Sequence, residues 1–389
     1  MLGRAATAAM LAVPVLAIPV LSLAVMSGTA HRAAAAGRNS IAYVANSGSG
    51  TITPISTRTN RPGRAITLPV GCRRPLELAI TPDGRSLYAG CLGSEVVPIR
   101  TGTGRAGPAI RLRYQVGLLG MLPDGKTLYV SHPYDGAVTP ISTATSRPGK
   151  PIMVGRNPTA IAFAPDSRLA YVLETGPGVV VPVRTATNRA GRPIRVGRLP
   201  EAIAVTPNGR TLYVADYGSG RLLPVSTATG AIGKPIVLGP ASEMISPEAL
   251  AITPDGRTVY VAAKYQNAQG SLASAVYPVS TATGAIGRPM ALPQQGVLFL
   301  GLSPDGRRLL VIGNAGTDYL TTIATGVNTV VRTLRLRLGS QVVAFTPDSR
   351  TAYVASLPTG TVLGIRTATG VAAWRIRVGR APIAITVRR

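Results

Sequence analysis

One five-residue turn recurs seven times along this chain: Thr-Pro-Asp-Gly-Arg from Thr81, Leu-Pro-Asp-Gly-Lys from Leu122, Ala-Pro-Asp-Ser-Arg from Ala164, Thr-Pro-Asn-Gly-Arg from Thr206, Thr-Pro-Asp-Gly-Arg from Thr253, Ser-Pro-Asp-Gly-Arg from Ser303 and Thr-Pro-Asp-Ser-Arg from Thr346. The copies lie 41 to 50 residues apart. Proline presets the second position of a type I turn, aspartate hydrogen-bonds its own backbone, and glycine takes the left-handed residue that closes the turn, so each copy is read as a hairpin tip. An apolar strand precedes each tip, as in Ile161 to Ala164 and Ile203 to Thr206, and a strand centred on Tyr-Val follows it, as in Tyr129-Val130 and Tyr213-Val214. Neither strand alternates cleanly between apolar and polar, so both faces are expected to be buried between neighbouring sheets.

A third strand ends in a second recurrent turn, Ser-Thr-Ala-Thr-Gly at Ser226 to Gly230 and Ser280 to Gly284, and a fourth covers segments such as Lys234 to Gly239. Four short strands per period of about 43 residues define one blade of a β-propeller. The segment Ala381 to Thr386 resembles a pre-tip strand with no hairpin after it, and Ile41 to Asn46 resembles a Tyr-Val strand with none before it. Pairing these two orphans closes the ring in one composite blade and leaves no open edge. The fold class expected is therefore all-β, a single propeller of eight four-stranded blades. Seven is the alternative if one degenerate unit is not a blade.

The phrase Pro-Asn-Gly-Arg-Thr-Leu-Tyr-Val-Ala from Pro207, with its relatives and the Ser-Thr-Ala-Thr-Gly turns, resembles the YVTN-type β-propeller repeat family over essentially all of residues 37–389. The resemblance implies the propeller fold. It leaves function open, because that family includes surface-layer and adhesion-type proteins, nucleic-acid binders and relatives of propeller lactonases. Its familiar members often have seven blades, and the eight units counted here depart from that.

Residues 1–36 read as a secretory signal peptide: Arg4, an apolar run from Ala5 to Met26 interrupted by Pro14 and Pro19, then small residues ending in Ala34-Ala35-Ala36. An uncleaved membrane anchor is the competing reading. Cleavage removes Arg4 and Arg32 and so lowers the formal charge of +26 by only two. An excess of cations that large points to a polyanionic neighbour, in a secreted or wall-associated protein with no membrane span. Cys72 and Cys91 are the only cysteines, and in an oxidising compartment they are expected to pair, with two free buried thiols as the alternative.

Strand order sorts the remaining residues onto two rims. Hairpin tips and Ser-Thr-Ala-Thr-Gly turns share one rim, which collects about half of the 41 Lys and Arg. Arg61, Arg147, Lys150, Arg189 and Arg192 are its candidate polyanion-binding residues. The opposite rim carries the other acids, with tyrosines and amides on variable loops: Tyr134, Asp135, Glu174, Glu201, Asp216, Tyr217, Tyr265, Asn314, Asp318 and Tyr319 are its candidate ligand-binding residues. The tyrosines at the repeat position, such as Tyr129 and Tyr353, are expected to pack between blades with satisfied hydroxyls.

Several chemistries lack their residues. His132 is the sole histidine beyond residue 36, so no histidine-built metal centre is expected, and there is no Gly-x-Ser-x-Gly nucleophile elbow. No cofactor is expected. The leading reading is a non-enzymatic monomeric propeller that binds an anionic cell-wall or surface polymer on one rim and a protein or saccharide on the other. The alternatives are a lactonase-like hydrolase using Glu174, Glu201, Asp216 and Asn314 at the central channel, and nucleic-acid binding through the cationic rim.

Overall fold

The computed structural model describes residues 40–239, 244–266, 270–336 and 339–388. The expected export signal lies outside them. Its strands form eight separate antiparallel sheets, seven of which begin on an inner strand and run outward in chain order. Blade 2, for example, runs from Pro75–Ile80 through Ser86–Cys91 and Glu95–Arg100 to two-residue outer pieces at Arg105–Ala106 and Ile110–Arg111. Blades 3 to 8 have inner strands Leu119–Met121, Pro158–Phe163, Pro200–Val205, Met244–Ile252, Gly296–Leu302 and Ser340–Phe345. The eighth sheet is the composite blade 1, in which Pro382–Val387 pairs with Ile41–Asn46, which pairs with Thr51–Ser56. The eight-blade expectation and the closure by terminal strands both hold.

The tips form as the turn chemistry dictates. In the first, Asp83 Oδ1 accepts hydrogen bonds from the Thr81 hydroxyl at 2.6 Å and the Arg85 N–H at 2.9 Å, and Gly84 sits at φ +66°. These hydrogen bonds hold the Asp83 carboxyl below its usual range. Ser167 and Ser349 stand in the glycine position at φ +60°, and each hydroxyl compensates by accepting the backbone N–H of the preceding tip, from Asp124 and Asp305 respectively.

Burial on both faces of the first two strands follows from the stacking of blades. The largest buried side chains include the repeat tyrosines Tyr43, Tyr88, Tyr129, Tyr171 and Tyr353. Several hydroxyls at this position reach the turn of the next blade: Tyr129 donates to Asn188 Oδ1 at 2.7 Å, Tyr260 to Asn328 Oδ1 at 2.7 Å, and Tyr353 to Asn60 Oδ1 at 2.6 Å. The Tyr171 hydroxyl, against the expectation, is buried without a hydrogen bond among the described residues. Each of those asparagines occupies the left-handed region, which asparagine tolerates better than most residues. One repeat position thus contributes apolar bulk to the core and, at Tyr129, Tyr260 and Tyr353, a polar tie to the next blade.

Blade 6 departs from its neighbours. Its first three strands, Met244–Ile252, Thr258–Gln266 and Leu272–Ser280, have nine residues each, against six in most other blades, so it rises above the rim opposite the tips.

Candidate functional site

The last residue of the second strand occupies one repeated place on that rim, and in blades 2 to 5 it fastens the loop entering the blade. In blade 2 it is Cys91, disulfide-bonded to Cys72 with Cα atoms 5.2 Å apart. The expected pairing is therefore present. In blade 3 it is His132, wholly buried, with Nδ1 2.7 Å from the Gln115 carbonyl oxygen and Nε2 2.7 Å from the Thr139 hydroxyl. Burial lowers its pKa, and with both ring nitrogens engaged it acts as a loop fastener.

Glu174 and Asp216 occupy the same place in blades 4 and 5. Asp216 accepts hydrogen bonds from the Arg198 and Leu199 N–H groups through Oδ1 and from the Ser219 hydroxyl through Oδ2. Glu174 is 2% exposed beneath Gly155, where a Cβ would lie 2.2 Å from its Oε2. Burial raises its pKa against the Arg156 N–H that lowers it, and Oε1 is buried without a partner. These two carboxylates thus fasten local backbone.

What the rim does bring together is a group at blades 5 and 6. Glu201 and Glu248 are the residues skipped by a bulge in the inner strands of blades 5 and 6. Lys264 Nζ lies 3.1 Å from Glu248 Oε1 and 4.8 Å from the centre of the Tyr217 ring. Glu248 Oε2 accepts the Val297 N–H at 2.7 Å. Burial, and then the Glu248 charge, raise the Glu201 pKa, with Lys264 opposing. Burial would lower the Lys264 pKa, but Tyr217 and Glu248 hold it above its ordinary value. Lys264 was not a sequence candidate; its signal was the break in the repeat, Lys-Tyr-Gln after Ala263.

The other rim candidates stay on separate blades. Tyr134, 74% exposed, and Asp135 belong to blade 3. Asn314, Asp318 and Tyr319 belong to one hairpin of blade 7, with Asn314 opposite Asp318 and Asp318 buried. Tyr265 packs half-buried against the core between blades 5 and 6. Among the described residues no three His, Cys, Asp or Glu side chains converge as metal donors.

The tip rim is built differently. Arg61, Arg147, Lys150, Arg189 and Arg192 are all exposed, and none pairs with a described carboxylate. The tip aspartates are engaged by their own turns and touch only the tip arginines, at 3.8 to 4.0 Å for Asp83, Asp166 and Asp255. The cations are also uneven around the ring. Of those around the turns between third and outer strands, all but Lys234, Arg288, Arg332 and Arg366 fall on blades 1 to 4. The cationic feature is an arc over four adjacent blades.

No known protein family matches the chain, and no curated protein matches it in sequence. Solved structures share its fold. Dihydro-heme d1 dehydrogenase NirN is 15% identical with a TM-score of 0.70, over 89% of this chain and 74% of that one. AztD from Citrobacter koseri is 12% identical with a TM-score of 0.66, over 90% and 97%. A Bacteroides fragilis protein described as a 6-phosphogluconolactonase is 16% identical with a TM-score of 0.57, over 92% and 99%. At such identities the likeness shows the propeller alone, and these propellers serve different roles.

Proposed function

We propose that this chain is an exported, non-enzymatic binding propeller whose tip rim contacts an anionic polymer along the arc of blades 1 to 4. One observation carries the reading: the arginines and lysines around the turns between third and outer strands of that arc are exposed and pair with no described carboxylate, while the tip aspartates are committed to the hairpin turns and to the tip arginines. Guanidinium groups spread over a rigid surface offer many fork contacts to phosphate, so the binding is strong in low salt and poorly selective for sequence or linkage. The opposite rim, with Glu201, Glu248 and Lys264 on strands and Tyr217 in the adjoining turn, is the face for a protein or saccharide. No aromatic ladder interleaves the cations of the arc, so nucleic acid binds there through charge rather than base stacking. Among the described residues no helix is long and apolar enough to cross a membrane. Titrating the purified protein with polyphosphate and with single-stranded DNA at two salt concentrations tests the reading. Salt-insensitive binding, or none, removes it.

A further inference from the structure

A groove of about 560 Å³ opens between blades 4 and 5, running from the loops at Arg198 and Ser219 on the rim opposite the tips to Ile232 and Pro235 beyond the Ser226–Gly230 turn. Arg195, Arg198 and Arg221 line it, and Leu223, Ile232 and Pro235 form its apolar side. The fourth strand of blade 5 is only Ile236–Val237, and before it Ile232 stands 43% exposed, while Leu223 is buried and meets the groove only at its edge. Asp216 lies in the lining, but its carboxylate is already engaged by the Arg198 and Leu199 N–H groups and the Ser219 hydroxyl. The three guanidinium groups form no ion pair with any described carboxylate.

The repeat supplies an internal control. The loop Val196-Gly197-Arg198 recurs one blade earlier as Val154-Gly155-Arg156 and at the ring closure as Val378-Gly379-Arg380. At the place of Arg195 those units have Met153 and Arg377, and at the place of Arg221 they have Val179 and Thr51. Only the blade 4–5 junction among these three assembles all three arginines. The loop arginine belongs to the scaffold, whereas Arg195 and Arg221 are additions to it.

We propose that this groove is a binding site for a small phosphate monoester bearing an apolar group. A doubly charged phosphate presents three oxygens, enough to engage several guanidinium forks at once, where a carboxylate offers a single edge. The apolar substituent then rests on Leu223, Ile232 and Pro235, and the volume lies in the range of small-molecule sites. The site is separate from the tip-rim arc and does not depend on it.

Phenyl phosphate is the probe, followed by calorimetry and by protein-observed NMR on the full chain. The unmodified protein binds it more tightly than inorganic phosphate, because only the ester has an apolar half. The Arg195→Met, Arg221→Val variant, which restores the residues found one blade earlier, loses at least tenfold in affinity with an unchanged melting temperature. A charge reversal of Arg61, Arg147, Arg189 and Arg192 on the tip rim leaves phenyl phosphate binding intact, which separates this site from the polymer arc. Unchanged affinity in the double variant, equal binding of inorganic phosphate, loss of binding in the tip-rim variant, or no binding by the unmodified protein at millimolar concentration would each overturn the proposal.

Discussion

Removing Ala381 to Arg389 deletes the inner strand of the composite blade while leaving every hairpin tip in place. The strand buries Pro382, Ala384, Ile385 and Val387, the last three at 6%, 4% and 9% exposure. Ile385 and Val387 belong to the core shared with Ala42, Val44, Tyr353 and Val362 between blades 1 and 8. Full burial of an Ile or Val side chain is worth about 1.5 to 3 kcal/mol, so with the smaller Pro and Ala the strand contributes about 5 to 8 kcal/mol. That is a large part of the ~5 to 15 kcal/mol by which a folded domain exceeds its unfolded state. The deletion also exposes the edge of Ile41–Asn46, inviting association between chains. Calorimetry and circular dichroism should record a melting temperature at least 10 °C lower, on the order of 2 °C per kcal/mol for a protein this large. A truncated chain melting within about 2 °C of the intact one would refute the closure as a stabilising element.

Other consequences follow from single residues. Tyr129→Phe leaves Asn188 Oδ1 without its donor and should cost about 1 kcal/mol in denaturant titration; the same change at the exposed Tyr134 should cost nothing measurable. Cys72→Ala with Cys91→Ala opens a loop spanning 19 residues and should lose about 3 kcal/mol by the chain-entropy argument. Glu77, on the inner strand of blade 2, has its carboxyl pushed up to about 8 by burial. Its protonated form favours the fold, so that contribution is complete below about pH 4.5 and is lost as the pH rises through about 8. Glu77→Gln should therefore flatten the decline in stability across that window, and an unchanged pH profile would contradict the assigned burial.

The sequence showed the fold through its turns, because Pro, Asp and Gly encode backbone geometry locally and a repeat displays the same instruction many times. The orphan strands at residues 41–46 and 381–386 were legible for the same reason, each being half of a known unit. Side-chain roles on the opposite rim were not, because they depend on which loop lies over a given strand end. Glu174 and Asp216 resembled ligand-site acids by type, yet both fasten the Val-Gly-Arg loops. Glu248 and Lys264 meet because blade 6 is longer and its inner strand carries a bulge; the break in the repeat after Ala263 signalled the first, while the partner it brings to Lys264 is set by the bulge. The tip rim was readable as cationic, but its concentration on blades 1 to 4 required the order of blades in space. The grouping of Arg195, Arg198 and Arg221 is likewise spatial, since it joins the outer wall of one blade to the third strand of the next.

The salt dependence of polyphosphate binding tests the central claim most directly. Each neutralised phosphate releases counterions, so an arc making six or more contacts should lose about three orders of magnitude in affinity between roughly 50 and 200 mM salt. Reversing charge at Arg61, Arg147, Arg189 and Arg192 should weaken binding and flatten the slope, whereas reversal at Arg73, Arg74, Arg156 and Arg198 on the opposite rim should change both much less. Equal losses from the two sets would mean that net charge alone is responsible, and a complex indifferent to salt would contradict the account.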